Sequence, residues 1–160
     1  MRRSSTGPDL SAAVYDNVPF ADIQVTVRNS TAHAFGVQDI RPLEVAAAGG
    51  ISLGGTEADD RVLSDSFSEA RPAMRIHDIG DASGQMYRGV EVQLLYNRKS
   101  GQSWFAGALT TDKFLTILRL HLPEGNPAHG IASYEVDCAG TTELTKENSC
   151  AMPSLRTRSS

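Results

Sequence analysis

The sequence predicts an all-β fold, an antiparallel β-sandwich, and three observations indicate it. Short segments of the 160-residue chain alternate apolar and polar residues with a period of two, as half-buried strands do. Clusters of Gly, Pro, Asn and Asp separate these segments, as turns between strands require. No segment has a convincing long helical pattern. Many short strands without interposed helices favour a sandwich over a doubly wound sheet.

The clearest predicted strand begins at Ile23, because Ile23, Val25 and Val27 share one face of an extended chain. Several shorter segments also have an extended pattern between Gly, Asp and Pro residues. These shorter candidates are residues 36–40, 43–47, 51–53, 73–79 and 141–146.

A β-hairpin is predicted in the middle of the chain. Its first strand has one face formed by Val90, Val92, Leu94 and Tyr96. Residues 97–101 supply turn residues, and residues 102–111 resume the extended pattern. Two alternating segments joined by a short turn are typical of a hairpin.

Residues 113–122 fit either a helix or a strand. A helical face would contain Phe114, Ile117 and Leu118, but a strand also explains the spacing of the larger apolar set. We predict a strand, because β-branched residues are present and the turn at residues 123–127 precedes a further strand at 131–138. The alternating set is Phe114, Thr116, Leu118, Leu120 and Leu122, and the face of the next strand is Ala132, Tyr134, Val136 and Cys138.

We expect a single β-sandwich domain at residues 21–149, with disordered termini. The flexible tails are placed at residues 1–20 and 150–160, because Ser, Thr, Arg and Pro are common there and large apolar groups are rare. No turn signal in the last stretch leads to another element. We therefore expect the chain to be a fragment of a longer protein.

The formal net charge of −4 repels phosphate backbones, so we expect no nucleic-acid partner. We also expect no membrane partner, because no stretch approaches the roughly 18 apolar residues that span a bilayer. Met1 is not followed by the apolar segment of a secretory signal, which predicts a cytoplasmic location. Cys138 and Cys150 could close a short loop, but reduced thiols are the expected state.

No residue pattern points to a catalytic, metal or cofactor site. The four histidines have no paired spacing, so no metal ligand is predicted. Residues 49–55 are rich in glycine but lack the Lys-Ser/Thr ending of a phosphate loop, and no cofactor is expected. Glu57, Asp59 and Asp60 form an acidic cluster, which we interpret as solvated turn residues rather than a glycosidase carboxylate pair.

Trp104 and Tyr96 are the candidate carbohydrate-binding residues. They lie on the two predicted strands of the hairpin, and exposed aromatic rings can stack on the apolar faces of sugars. The alternative is that Trp104, the one tryptophan of the chain, packs in the core of the sandwich.

Residues 89–120, GVEVQLLYNRKSGQSWFAGALTTDKFLTILRL, resemble the N-terminal region of alpha-galactosidase-like glycoside hydrolases of the melibiase and raffinose-acting kind. Residues 25–30 and 39–44 look like the opening strands of that family, and residues 61–65 look like a segment that ends in Ser-Asp-Gly. The order of these segments is also the same. This chain departs from the family after Ser64-Asp65, where the family tends to continue with Gly and an aromatic residue such as Trp, whereas Ser66-Phe67-Ser68-Glu69 follows here.

The resemblance implies an N-terminal β-supersandwich, followed in the complete enzyme by a (β/α) barrel with two catalytic aspartates and a small C-terminal β-domain. The implied reaction is retaining hydrolysis of alpha-galactosides. No residue of this chain matches either catalytic motif, so no catalytic residue is assigned and the chain alone is expected to be inactive. The implied partners are the catalytic barrel and, through the complete enzyme, a galactose-containing oligosaccharide.

The leading hypothesis is therefore a non-catalytic sandwich domain of an alpha-galactosidase-like enzyme. One alternative is an independent carbohydrate-binding module that uses Trp104 and Tyr96. A second is a structural or assembly domain whose sheet edge pairs with another chain, which leaves a homo-oligomer open.

Overall fold

The computed structural model describes residues 8–46, 51–65, 74–80, 84–110, 114–124, 131–144, 149–151 and 155–159. These residues form antiparallel β-sheets that pack as a sandwich, which confirms the predicted fold class. The described helical structure is one short 3-10 turn at Glu57–Asp59. Nothing helical in the described ranges has the length and apolar character needed to cross a bilayer.

Twelve strands lie in the described residues and follow one another along the chain. They are β1 (Pro8–Val14), β2 (Phe20–Arg28), β3 (Phe35–Ala46), β4 (Asp60–Asp65), β5 (Met74–Asp78), β6 (Met86–Val90), β7 (Val92–Asn97), β8 (Ser103–Ala108), β9 (Leu115–His121), β10 (Ser133–Leu144), β11 (Ser149–Ala151) and β12 (Leu155–Ser159).

The strands divide into two sheets. The large sheet has eight strands in the order β1-β2-β12-β8-β7-β4-β5, and β11 also pairs with β2. The small sheet has four strands in the order β3-β10-β9-β6. Strand β12, near the end of the sequence, lies between β2 and β8, so the large sheet is held together by pairings between distant parts of the chain.

The ambiguous segment forms strand β9, as predicted. Its alternating residues, together with those that flank the strand, are all buried, and they are Phe114, Thr116, Leu118, Leu120 and Leu122. Buried residues of the neighbouring strand β10 lie directly beside them on the same face of the small sheet, namely Tyr134, Val136 and Cys138. The predicted strand at Ile23 is also confirmed as part of β2, where Val25 and Val27 are buried.

The predicted hairpin is confirmed as β7 and β8, but its buried face differs from the expected one. Of the expected set, Val90 is buried, but Val92, Leu94 and Tyr96 are half-buried. Gln93, Leu95 and Asn97 are buried instead. The physical reason is a crossing between the two sheets that follows Val90. Strand β6 belongs to the small sheet and β7 to the large sheet, so the alternation does not continue from one to the other.

Glu91 lies at this crossing, between β6 and β7. Its φ angle of 65° is in the left-handed region, which is costly for a residue with a side chain. Its backbone N–H donates to the Thr116 carbonyl of the small sheet, and its carbonyl accepts from the Ala108 N–H of the large sheet. At Gly89 a Cβ would lie 2.5 Å from the Val92 carbonyl oxygen, so the tight crossing also requires a glycine.

The shorter strands that the sequence predicted are confirmed only in part. Residues 36–40 and 43–47 belong, as far as Ala46, to one continuous strand, β3, which tolerates Pro42 because it lies at the edge of the small sheet. Residues 51–53 form no strand, so that prediction is wrong. The described parts of 73–79 and 141–146 lie mainly in β5 and β10.

The two stretches expected to be flexible tails contribute β1 and β12 to the large sheet. Every residue of β1 is exposed, so this strand adds hydrogen bonds to β2 but no buried side chain. Residues 1–7, 152–154 and 160 of these stretches lie outside the described residues.

The core lies between the two sheets and has two clusters. The larger contains Leu53, Val62, Ile79, Leu95, Ala106, Leu118, Leu120, Leu122, Tyr134 and Val136. The smaller joins Val25, Val27, Phe114 and Cys138, with Phe35, Val37 and Ile40 packed against it.

Candidate functional surfaces

Trp104 faces the core of the sandwich. It is directly opposite the fully buried Leu95 in the β7–β8 pair, and directly opposed residues share one face of a sheet. Its ring meets Tyr134 edge-on, with centroids 6.2 Å apart and an interplanar angle of 83°. Burial raises the pKa of the Tyr134 hydroxyl; the nearby indole N–H opposes that rise, although no hydrogen bond of normal geometry joins the two.

Tyr96 faces the other side of the large sheet. It lies opposite Ser103 and opposite Arg61, one position out of phase with the Leu95–Trp104 pair. Side chains of successive residues in a strand point to opposite faces. The structure therefore does not bring Trp104 and Tyr96 together, and these two residues do not form a shared sugar-stacking platform.

The acidic cluster is divided between two environments. Asp59 is half-buried, and a hydrogen bond of 2.5 Å from Thr56 is the main cause of its lowered pKa. Asp60 is only 8% exposed, and burial raises its pKa. Asp60 is thus not the solvated turn residue that the sequence predicted, because it begins β4 on the core side of the sheet, opposite Asn97.

Asn97 explains why Asp60 is buried. Its side-chain amide donates to Asp60 Oδ1 at 2.8 Å and to the Thr56 carbonyl at 2.8 Å. Its Oδ1 accepts from the backbone N–H groups of Lys99 and Ser100, both at 2.9 Å. These bonds fasten the loop before β4 to the β7–β8 turn, so the acidic cluster has a structural role in this region.

A second buried polar cluster surrounds the sheet crossing. Glu91 Oε1 accepts a long hydrogen bond of 3.3 Å from the Thr116 N–H, while its Oε2 is buried without a partner. Burial raises the pKa of Glu91 and also that of the Cys138 thiol, which lies 3.8 Å from the Thr116 hydroxyl. Cys138 is a buried free thiol, and the side chain of Cys150 lies outside the described residues.

The outer face of the small sheet carries an ionic network. Arg41 contacts Asp137 at 2.7 Å and Glu135 at 3.1 Å, Arg119 also contacts Asp137, and His121 lies 2.8 Å from Glu135. Charges of both signs are paired with one another in this network, which is typical of a solvated sheet face. No group of three or more His, Cys, Asp or Glu that could hold a metal ion occurs among the described residues.

The outer face of the large sheet has a different character. Ile76, Leu63, Leu94 and Phe105 are direct cross-strand neighbours on four consecutive strands, β5, β4, β7 and β8. Ile76 is 62% exposed, and the other three are half-buried. We call these four residues the apolar row. The Phe105 ring lies over Gly107 on this face, 3.1 Å from where a Cβ of that glycine would be.

The sandwich is open where β1 and β3, the edges of the two sheets, come together. An apolar groove of about 400 Å³ lies there, with Val25 and Val27 among its apolar lining residues. Pro8 and Leu10 of β1 line it together with residues of β3, and Leu10 is 66% exposed. We call this feature the edge groove.

Sequence reasoning missed both surfaces. Three pairs of adjacent apolar residues were a signal of the apolar row, because one member of each pair must face away from the core. These pairs are Val62-Leu63, Leu94-Leu95 and Trp104-Phe105. The edge groove depends on which strands end the sheets, and no local pattern specifies this.

No family model matches the chain, and neither a curated protein nor a solved structure matches it.

Proposed function

We propose that this chain is a non-catalytic β-sandwich domain that packs on the catalytic barrel of an alpha-galactosidase-like glycoside hydrolase. The observation that carries the docking part of this proposal is the apolar row on the outer face of the large sheet. The identity of the enzyme is supported by the sequence segments given above.

The apolar row would be stabilised by a domain that covers it. The inner face of the large sheet already faces the core, so the row is additional apolar surface on its second face. Sheets with two apolar faces are normally covered on both. Completing the burial of an Ile, Leu or Phe side chain contributes up to about 1.5–3 kcal/mol. A companion domain seated on the four residues of the row would therefore be held mainly by hydrophobic contact.

The polar clusters support a non-catalytic role. In the described part of the chain, Asp60 is bound by Asn97, and the outer carboxylates of the small sheet are paired with arginines. Glu91 is half-buried at the sheet crossing, where its carboxylate accepts a hydrogen bond from the Thr116 backbone N–H. We accordingly assign no catalytic residue, and galactosides are proposed to be substrates of the complete enzyme. The cytoplasmic location stays a prediction from the sequence.

The test is an activity assay of the purified 160-residue chain on an aryl alpha-galactoside, with an active alpha-galactosidase as the positive control. We expect no release of the aryl group by the chain. Turnover that follows the chain through purification would refute a non-catalytic role. Calorimetry with melibiose and raffinose separates the remaining alternative, because binding heat that Tyr96→Ala removes would favour a carbohydrate-binding module.

The docking face has its own test, once a catalytic barrel encoded with this chain is available for co-expression. Ile76→Lys and Leu94→Lys each place a charge in the apolar row, whereas Leu115→Lys places one on the exposed outer face of the small sheet. We expect the two row variants to lose co-purification with the barrel and the Leu115 variant to retain it. Equal retention by all three variants would show that the row is not the docking face.

A further inference from the structure

We propose that two copies of this chain associate through strand β1, which pairs antiparallel with β1 of the second copy and extends the large sheet across a two-fold axis. Strand β1 and the apolar row are different surfaces. Pairing through β1 does not depend on the alpha-galactosidase-like parent.

Among the sheet edges that the described residues form, strand β1 is the least protected. Within the described residues it pairs only with β2, and Leu10 and Val14 are 66% and 81% exposed. Edge strands usually carry charges or proline that prevent pairing with another chain. The other three edges have such residues, which are Asp39, Arg41, Pro42 and Glu44 on β3, Arg75 and Asp78 on β5, and Arg88 on β6. On β1 they are confined to its first two residues, Pro8 and Asp9, so the stretch from Leu10 to Val14 is unprotected.

The sequence of β1 is self-complementary. A two-fold axis at Ala12 places Leu10 opposite Val14 of the second copy and Ala12 opposite its own equivalent, so large residues meet large ones and small meet small. The stretch from Leu10 to Val14 contains no charge. The one acidic residue of the strand, Asp9, lies 3.9 Å from Arg28 of the same chain and would not face a like charge. An isologous contact requires this kind of self-match.

The edge groove adds apolar contact to the backbone pairing. Leu10 is opposite Val25 in the β1–β2 pair, so Leu10, Ala12 and Val14 share the face of β1 that points toward the groove. In the proposed register the same residues of the second copy continue this face. The two grooves would then form one apolar strip across the two-fold axis, which covers side chains that a single copy leaves exposed.

The partner of β1 is a second copy rather than an unrelated peptide, because the stretch from Leu10 to Val14 pairs with its own copy about Ala12 without a mismatch in size or charge. Each copy has a formal net charge of −4, and the resulting repulsion is screened by salt. We therefore expect the dimer to become stronger as the ionic strength rises, as hydrophobic and backbone contacts predict and ion pairs do not.

Sedimentation velocity over a range of protein concentrations and two salt concentrations tests the proposal. Wild type is expected to show a monomer–dimer equilibrium. Ala12→Lys and Ala12→Glu each place like charges opposite one another at the axis, and each should raise the dissociation constant by roughly tenfold or more. An equimolar mixture of the two variants should recover the dimer, because Lys then faces Glu. Ala12 is exposed, and circular dichroism of each variant checks that the fold is retained.

Leu115→Lys is the matched control, since it adds the same charge at another exposed strand residue. It should leave the dimer unchanged. A wild-type chain that stays monomeric at all concentrations would overturn the proposal, as would an Ala12→Lys variant that associates like wild type. Loss of the dimer in Ile76→Lys, with Ala12→Lys unaffected, would instead assign self-association to the apolar row. None of these outcomes bears on the assay with the aryl alpha-galactoside.

Discussion

Replacing Glu91 by Gln should stabilise the protein at neutral pH and have little effect in acid. Glu91 Oε2 is buried without a partner, and Oε1 accepts only a hydrogen bond of 3.3 Å. A buried polar group left unsatisfied costs about 1–3 kcal/mol. The Gln side chain removes the charge but still buries a polar amide, so we expect the lower end of this range, about 1 kcal/mol.

The direction in which this stability difference changes with pH follows from the raised pKa of Glu91, which burial shifts upward from 4.5. Between that value and the folded-state pKa, the folded protein holds the proton more tightly than the unfolded chain does. The free energy of unfolding of wild type therefore falls as the pH rises through this window, and the loss is complete above the folded-state pKa. Because Gln does not titrate, the advantage of Glu91→Gln should appear only as the pH rises.

Urea unfolding of wild type and Glu91→Gln, at a pH below 4.5 and at pH 7, measures this difference. Glu124→Gln is the matched control, because it makes the same chemical change at an exposed side chain. A gain of about 1 kcal/mol corresponds to roughly 2–4 °C in Tm for a chain of this size. An equal effect of Glu91→Gln at both pH values, or a larger gain in acid, would refute the reasoning.

Three further substitutions test other parts of the structure by urea unfolding. Trp104→Ala should lower the free energy of unfolding by about 3 kcal/mol, because the indole packs on buried Tyr134, and a loss below about 1 kcal/mol would contradict a core role. Asn97→Ala should cost about 2–3 kcal/mol, because four hydrogen bonds are lost and buried partners are left unpaired; a neutral effect would show that the loop is held by other contacts. Leu94→Ser in the isolated chain should cost less than Leu95→Ser and should reduce binding of a hydrophobic dye, since Leu95 is fully buried and Leu94 is not. Equal costs for the two leucines would contradict this assignment of faces.

The strands that could be predicted are those whose alternation has one buried face. Along β9, from Phe114 to Leu122, every second residue is buried without interruption, and these buried residues are the ones that the sequence predicted. Strand β1 also alternates at Leu10, Ala12 and Val14, but no second sheet covers it, so its composition is that of an exposed segment. Alternation shows that a face can be buried and does not show what is available to bury it.

The arrangement of the sheets could not be predicted, because it depends on contacts that no local pattern contains. The position of β12 between β2 and β8 joins Leu155 to Ile23 on one side and to Ala108 on the other. The change of sheet at Glu91 has no turn signal such as Gly or Asn at the crossing residue itself, and Gly89 is the nearest indication of it. The change of sheet at Glu91 is sufficient to reverse the face that the sequence predicted for β7.

The reversed face of β7 bears on the whole large sheet. Gln93 and Asn97 are buried toward the core, while Val92, Leu94 and Tyr96 lie on the outer side. If the outer side faced only water, the opposite arrangement would bury more apolar surface and would leave Gln93 Oε1 solvated instead of unpaired. The register of β7 is fixed by its pairs with β4 and β8, and those strands also have apolar residues on the outer side at Leu63 and Phe105. Three neighbouring strands that share this pattern are what we expect of a sheet whose outer face is covered, as the proposed docking of a companion domain on the apolar row requires.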